Sequence, residues 1–294
     1  MSSLSRVTSR ESRVRNSESR VASHESRVRK SCAVMLVSLI SITCAAQTRI
    51  IKVCADPDNL PYSNRQLQGY ENKIAQLIAT ELHVKAQFVF ARQRRGFVRN
   101  QLNKNACDLL VGVPANFQPV LTTDPYFRSS YVFVSRKDHK LKITSFDDAQ
   151  LNNLKIGLQV LEEDYAPPAQ ALARRHIVSK LVGYDSFGNE AGNIVRDVIH
   201  KKIDLAIVWG PLAGYYARPY ARLLEIRPVS PSFDPPGLPF TYAISMGVRK
   251  SDRQLRDRLN AALQHHRGEI ERILRSYGVP ELKDEGTVAQ KGGK

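Results

Sequence analysis

The chain has little of what marks a membrane protein, a metalloprotein or a hydrolase. Its longest apolar run, Cys32 to Thr43, is twelve residues, well short of the ~20 needed to cross a bilayer. No membrane span is expected. Four cysteines form no C-x-x-C pair and the seven histidines are scattered, so zinc-type ligand spacing is missing. The one adjacent pair, His265-His266, falls on the exposed side of the last helical stretch, with no further ligand at metal spacing. There is no nucleophile elbow, no phosphate loop and no Ser-His-Asp arrangement. These absences leave no catalytic residues, metal or cofactor to assign. Tryptophan occurs once, at Trp209.

What is present begins with charge. The formal net charge is +16, a value that raises nucleic acid as a partner until its distribution is read. Residues 1–46 hold eight Arg or Lys against three Glu, which leaves +11 on the body, spread along it except for Arg92, Arg94, Arg95 and Arg99. No nucleic-acid stripe results. A solvated face, or a surface for an acidic protein or anionic ligand, accounts for that cluster.

The short apolar run follows Arg29-Lys30 and precedes Cys44-Ala45-Ala46. Basic region, apolar region and small residues in that order make a secretory signal, with cleavage expected before Gln47 and a periplasmic destination. Lipid attachment at Cys44 is the weaker alternative, because Ser41 and Thr43 depart from the usual small and aliphatic residues. Ahead of the signal, Ser-Arg-Val recurs at 5–7, 12–14, 19–21 and 26–28. Valine is the one apolar position per repeat, so no coiled-coil seam exists. The tract reads as translated repetitive DNA before a start at Val28. The mature chain then keeps Cys54 and Cys107, an even pair in an oxidising compartment. A disulfide, or two buried free thiols, satisfies the composition.

From residue 50 short apolar runs alternate with helical periodicity, the grammar of βαβ units. Strands are expected at 50–55, 87–91, 108–113 and 130–136, with helices at 70–82 and 97–102. The pattern then restarts, with strands at 155–159, 179–183 and 205–209 and helices at 166–176, 191–199 and from Pro211. Five prolines from Arg227 to Pro239 mark a stiff connector, after which a strand at 242–248 and a long helix at 252–277 need a sheet to join. The expected architecture is α/β, two lobes joined by a double-crossing hinge. Lobe 1 is discontinuous, 47–135 plus 240–282; lobe 2 is 141–227; hinge connectors lie at 136–140 and 228–239. Residues 283–294 read as a disordered tail.

The segments Cys54-Ala-Asp-Pro-Asp-Asn-Leu-Pro-Tyr-Ser-Asn64, Gln93-Arg-Arg-Gly-Phe-Val-Arg-Asn100, Cys107-Asp, Gly112-Val-Pro114, Leu121-Thr-Thr-Asp-Pro-Tyr-Phe-Arg-Ser-Ser-Tyr131 and Val208-Trp-Gly-Pro-Leu-Ala-Gly214 together resemble the extracellular solute-binding proteins of family 3. Within it they are most similar to the subgroup associated with quinoprotein (methanol) dehydrogenases. The resemblance covers residues 50–282 and implies the type II periplasmic binding protein fold. It implies association with the maturation or activity of a dehydrogenase that uses pyrroloquinoline quinone (PQQ), with its c-type cytochrome as a further contact. It also leaves room for a small-molecule ligand.

Amino-acid receptors of this family clamp the ligand carboxylate with an Arg and its ammonium with an acidic residue. The motif alignment puts Asn116 at the first position and Trp209 at the second. Both charge partners are gone. Trp209 reads either as core or as an aromatic cleft wall, which Tyr62, Tyr126 and Tyr215 could extend. Asp56 reads as a turn cap, with Asn59 in the same turn. Arg94 and Arg95, opening a helix at the cleft mouth, and Arg128 are the cationic candidates for recognition. Glu162, Glu163 and Asp164 form the one acidic group placed for a dehydratase-like alternative.

Overall fold

The computed structural model describes residues 49–161 and 164–282. The signal segment, the repeat and its proposed start, the 283–294 tail, Glu162 and Glu163 lie outside the described residues.

In chain order the principal elements are β1 (Ile50–Ala55), α1 (Tyr70–Glu81), β2 (Lys85–Phe90), β3 (Leu109–Pro114), β4 (Phe127–Arg136), β5 (Ile156–Leu161), α2 (Pro167–Arg174), β6 (Leu181–Asp185), α3 (Asn193–Ile199), β7 (Leu205–Trp209), α4 (Gly210–Ala217), β8 (Leu224–Pro228), β9 (Thr241–Val248), α5 (Arg253–His265) and α6 (Arg267–Ser276). The strands run in the order β6-β5-β7-β4-β9-β3-β1-β2, with β8 on the other side of β4. β1 pairs in parallel with β2 and β3, and β9 returns antiparallel to β3. The sheet is mixed, as the returning strand requires.

Two lobes arise because β4 changes partners part-way along. Phe127 to Ser130 pair with β9, whereas Tyr131 to Ser135 pair with β7 and Val132 to Arg136 with β8. One strand thus serves both sheets. The changeover falls at Ser130/Tyr131, ahead of the 136–140 crossing read from the sequence. The charged Arg136 to Lys140 run, which looks like a linker, ends the strand within lobe 2, because Ile143, Phe146 and Leu151 beyond it join the same core as Phe133. The return lies alongside, since the Tyr131 amide donates to the Phe240 carbonyl (2.8 Å) and Thr241 pairs with Ser130.

The alternation of period two assigns each strand residue to a side. In β4 and β7, Tyr131, Phe133, Leu205 and Ile207 enter one lobe 2 core, and Val132, Val134, Ala206 and Val208 enter the other. Lobe 1 packs Ile51, Val53, Leu109 and Val111 against Ile74 and Ile78 of α1 and Leu259, Ile270 and Leu274 of the last two helices. Its opposite side is a smaller cluster of Cys54, Leu102, Cys107, Leu110, Val113 and Val120. Cys54 and Cys107 form a disulfide there, with Cα atoms 5.4 Å apart, because parallel pairing of Cys54 with Leu110 brings the start of β3 alongside β1.

Three local features depart from the sequence pattern. The segment expected as one helix over 252–277 breaks at His266, whose backbone (φ −99, ψ 17) separates α5 from α6. The strand β8, Leu-Glu-Ile-Arg-Pro, is too short and too charged to stand out, and forms because β4 offers it an open edge. Within the proline-rich connector, Phe233–Asp234 pairs with Leu238–Pro239. Asp234 docks that hairpin on α2: its Oδ1 accepts from Arg175 Nη2 (2.8 Å), and its Oδ2 from Arg174 Nη1 (3.2 Å) and Arg175 Nη1 (3.1 Å).

Candidate functional site

A cleft of about 450 Å³ opens between the lobes where the strands change partners. Trp209 ends β7 opposite Tyr131, so its indole stands edge-on to the Tyr131 ring (centroids 5.5 Å) and to Tyr242 of β9 (5.7 Å). One ring therefore spans both crossings. Its backbone amide donates to Gln159 Oε1 (2.5 Å), and Gln159 Nε2 donates to Ser186 Oγ (3.2 Å). That polar pair fixes the lobe 2 wall, and Phe187 and Leu212 extend it with apolar surface.

Lobe 1 contributes Asn59, Tyr62, Tyr70, Glu71 and Gln93. α1 starts at Tyr70 because Asn72 Oδ1 reaches back to accept from the Gly69 and Asn64 amides (both 3.1 Å), which delivers Tyr70 and Glu71 to the cleft. A β-carbon on Gly69 would overlap the Tyr62 carbonyl, so only glycine fits there. Glu71 is 8% exposed, and among the described residues nothing donates a hydrogen bond to its carboxyl. Desolvation first, and the nearby Asp56 charge second, raise its pKa from 4.5 to about 7. Burial likewise pushes the Tyr62 and Tyr70 phenols well above 10.0, so both stay neutral. Asn59 Oδ1 is buried with no hydrogen-bond partner among the described residues.

Of the residues singled out from sequence, Asn59, Tyr62 and Trp209 line the cleft. Asp56 sits behind it, 3% exposed, accepting from the Asp58 amide (2.9 Å) and the Gln93 amide (2.8 Å); it braces the turn and ties it to the end of β2. Arg94 and Arg95 are exposed on the turn after Gln93, ahead of the short helical segment. Asn116 is exposed in a left-handed turn (φ 62) after β3, a conformation asparagine tolerates. It does not line the cleft. Tyr126 packs in lobe 1 and donates to the Val111 carbonyl (3.0 Å), Arg128 is exposed on β4, and Tyr215 stacks on Tyr277 (6.0 Å), all three away from the cleft lining.

Glu71, Gln93, Gln159 and Tyr242 carry no signal in the sequence. A glutamate in the first turn of a helix ordinarily complements the helix dipole in solvent; here the facing Gly112 leaves room for it to turn inward. Away from the cleft, the structure also corrects the view that His265 and His266 lack a further ligand, since Glu81 meets both rings. No helix among the described residues is long and apolar enough to cross a membrane.

What this lining can do is limited by its charge. Among the described residues it includes one carboxyl and no Arg, Lys or His, so a ligand carboxylate finds no cation among them. Apolar and planar groups find aromatic edges and faces, and hydrogen-bond donors find Asn59 Oδ1.

The pattern of the bacterial extracellular solute-binding proteins, family 3, matches residues 51–280. Protein MoxJ of Paracoccus denitrificans is 30% identical over 254 residues, covering 81% of this chain and 91% of MoxJ. MoxJ of Methylorubrum extorquens is 31% identical over 249 residues, covering 79% and 81%. The crystal structure of the periplasmic binding protein XoxJ from Methylobacterium extorquens AM1 superposes with a TM-score of 0.66 at 36% identity, over 80% of this chain and 100% of XoxJ. Sequence pattern, strand order and relatives agree: the chain belongs to the bacterial extracellular solute-binding proteins of family 3, and within it to the MoxJ and XoxJ type.

Proposed function

We propose that the protein is a non-catalytic periplasmic accessory factor of a PQQ-dependent methanol dehydrogenase, serving it by direct contact or by delivering a small molecule. The observation that carries this is the cleft lining, which keeps the binding-protein geometry and has no cationic side chain among the described residues. Burying a zwitterion there would leave its carboxylate unpaired, at a cost of several kcal/mol. Trp209 instead presents an aromatic surface for an apolar or planar group, or for a side chain of the partner.

The likeness to MoxJ and XoxJ supports the dehydrogenase as partner, and the export signal read before Gln47 supports a shared compartment. Arg94 and Arg95, on the turn after Gln93 at the cleft edge, give an acidic enzyme or its c-type cytochrome a surface to meet.

A second reading, a receptor for an importer whose solute is not a standard amino acid, is favoured by one feature. Asn59 Oδ1 is buried beside the cleft without a partner among the described residues, and a ligand N–H or O–H would satisfy it. Thermal denaturation against a panel of amino acids and uncharged aromatic and aliphatic compounds tests the cleft chemistry. A ligand at 100 times its dissociation constant stabilises by about 2.7 kcal/mol. None of the amino acids is expected to do so; stabilisation by one would return the chain to the amino-acid receptors.

A further inference from the structure

On lobe 1, away from the cleft, the C-terminal end of α1 meets the junction of α5 and α6. Glu81 there lies roughly 15 Å along the helix from Glu71. Its two carboxylate oxygens address different rings: Oε1 is 2.8 Å from His265 Nδ1 and Oε2 is 2.8 Å from His266 Nε2. We propose that Glu81, His265 and His266 form a binding site for a first-row divalent cation of the zinc class.

Three features carry the assignment. The first is convergence, since one ligand atom from each of the three residues falls within 4.8 Å of the others, close enough for small side-chain rotations to bring all three to the ~2.0–2.2 Å bonds that zinc makes with imidazole and carboxylate. The second is the helix break. Neighbours on a continuous helix point about 100° apart, whereas the interruption at His266 sets the two rings with centroids 4.9 Å apart and a 40° tilt, facing the same carboxylate.

The third is an outer partner. Glu269 Oε2 lies 3.4 Å from His266 Nδ1, and metal-bound histidines commonly give their second ring nitrogen to a carboxylate, which orients the ring. Nitrogen and oxygen donors in a two-to-one ratio suit zinc, copper or nickel and disfavour calcium and magnesium, which take oxygen ligands. The His265 side chain is 70% exposed, so water has access to complete the coordination.

Zinc titrated by calorimetry into the untagged full chain tests the proposal. One equivalent is expected to bind to the wild-type protein, and His265→Ala/His266→Ala is expected to lose at least 100-fold in affinity. Glu81→Gln, which preserves side-chain shape, guards against a misfolded double variant and is also expected to weaken binding. Glu269→Gln should weaken it by about 10- to 100-fold without abolishing it. Cobalt substitution gives an independent visible-absorption signature that should vanish with the histidines. Wild-type protein that takes up no zinc at millimolar concentration, or histidine and Glu81 variants that bind as the wild type does, would overturn the proposal.

Discussion

The carboxyl of Glu71 occupies the space that a side chain on Gly112 would fill: a β-carbon built on Gly112 overlaps Glu71 Oε1. The glycine therefore lets an acidic group sit inside an aromatic cleft. Because the overlapping atom ends a flexible side chain, Gly112→Ala should keep the fold while pushing the carboxyl aside. The expected loss of stability is under about 1.5 kcal/mol, with altered tryptophan fluorescence from Trp209 across the cleft. A cost far above that in urea denaturation would mean that Glu71 has nowhere else to go.

Glu71 also makes stability depend on pH. Its carboxyl has a folded pKa of about 7 against an ordinary 4.5, so the native state holds the proton more tightly than the unfolded chain. The resulting stabilisation is fully present below 4.5 and is lost as pH rises through about 7. The shift corresponds to about 3 kcal/mol. Glu71→Gln removes the titration. The difference in unfolding free energy between variant and wild type should therefore move in the variant's favour by up to this amount between pH 4.5 and 8; a constant difference would refute the buried, unpaired carboxyl.

The disulfide joins positions 53 residues apart, and closing a loop of that length is worth about 4 kcal/mol by the chain-entropy argument. Cys54→Ala/Cys107→Ala should lower stability by about 2–5 kcal/mol. The protein that begins at Gln47, and so lacks Cys32 and Cys44, should show no free thiol under denaturing, non-reducing conditions. Titration of two thiols would contradict the assignment.

Asp234 anchors the proline-rich hairpin through Arg174 and Arg175, and hydrogen bonds from Arg175 hold its carboxylate below the ordinary range. A fully buried pair broken on one side costs about 3–5 kcal/mol. The arginines here are part-exposed and can regain water, so Asp234→Ala should cost about 2 kcal/mol. This contribution is present above the unfolded pKa and is lost as pH falls through the lowered folded value, opposite in sign to that of Glu71. Denaturation at pH 7 and pH 3 should show the variant's deficit shrinking on acidification.

Much of the fold was legible because its periodicities are local. β1 and β7 begin and end where their apolar runs do, and the strand expected after the prolines is β9, paired with β3. The break at His266 was hidden because the apolar positions keep their phase across it, Leu259 and Leu263 being followed by Ile270 and Leu274 in the same core.

The cleft was legible only where a residue type is rare or a turn is distinctive, as with Trp209, Tyr62 and Asn59. Glu71 depends on a glycine 41 positions away, and the meeting of Glu81 with His265 spans 184. Asn116 shows the converse limit. A motif alignment gives an ordinal position, but a left-handed turn decides that the side chain faces solvent.

The central claim is that this scaffold serves a dehydrogenase through an aromatic cleft, and the most direct measurement is calorimetric titration of the purified PQQ-dependent methanol dehydrogenase with this protein at low salt. A saturable complex is predicted, weakened at least tenfold by Trp209→Ala with the variant's fold intact. No complex with the wild-type protein would contradict the account.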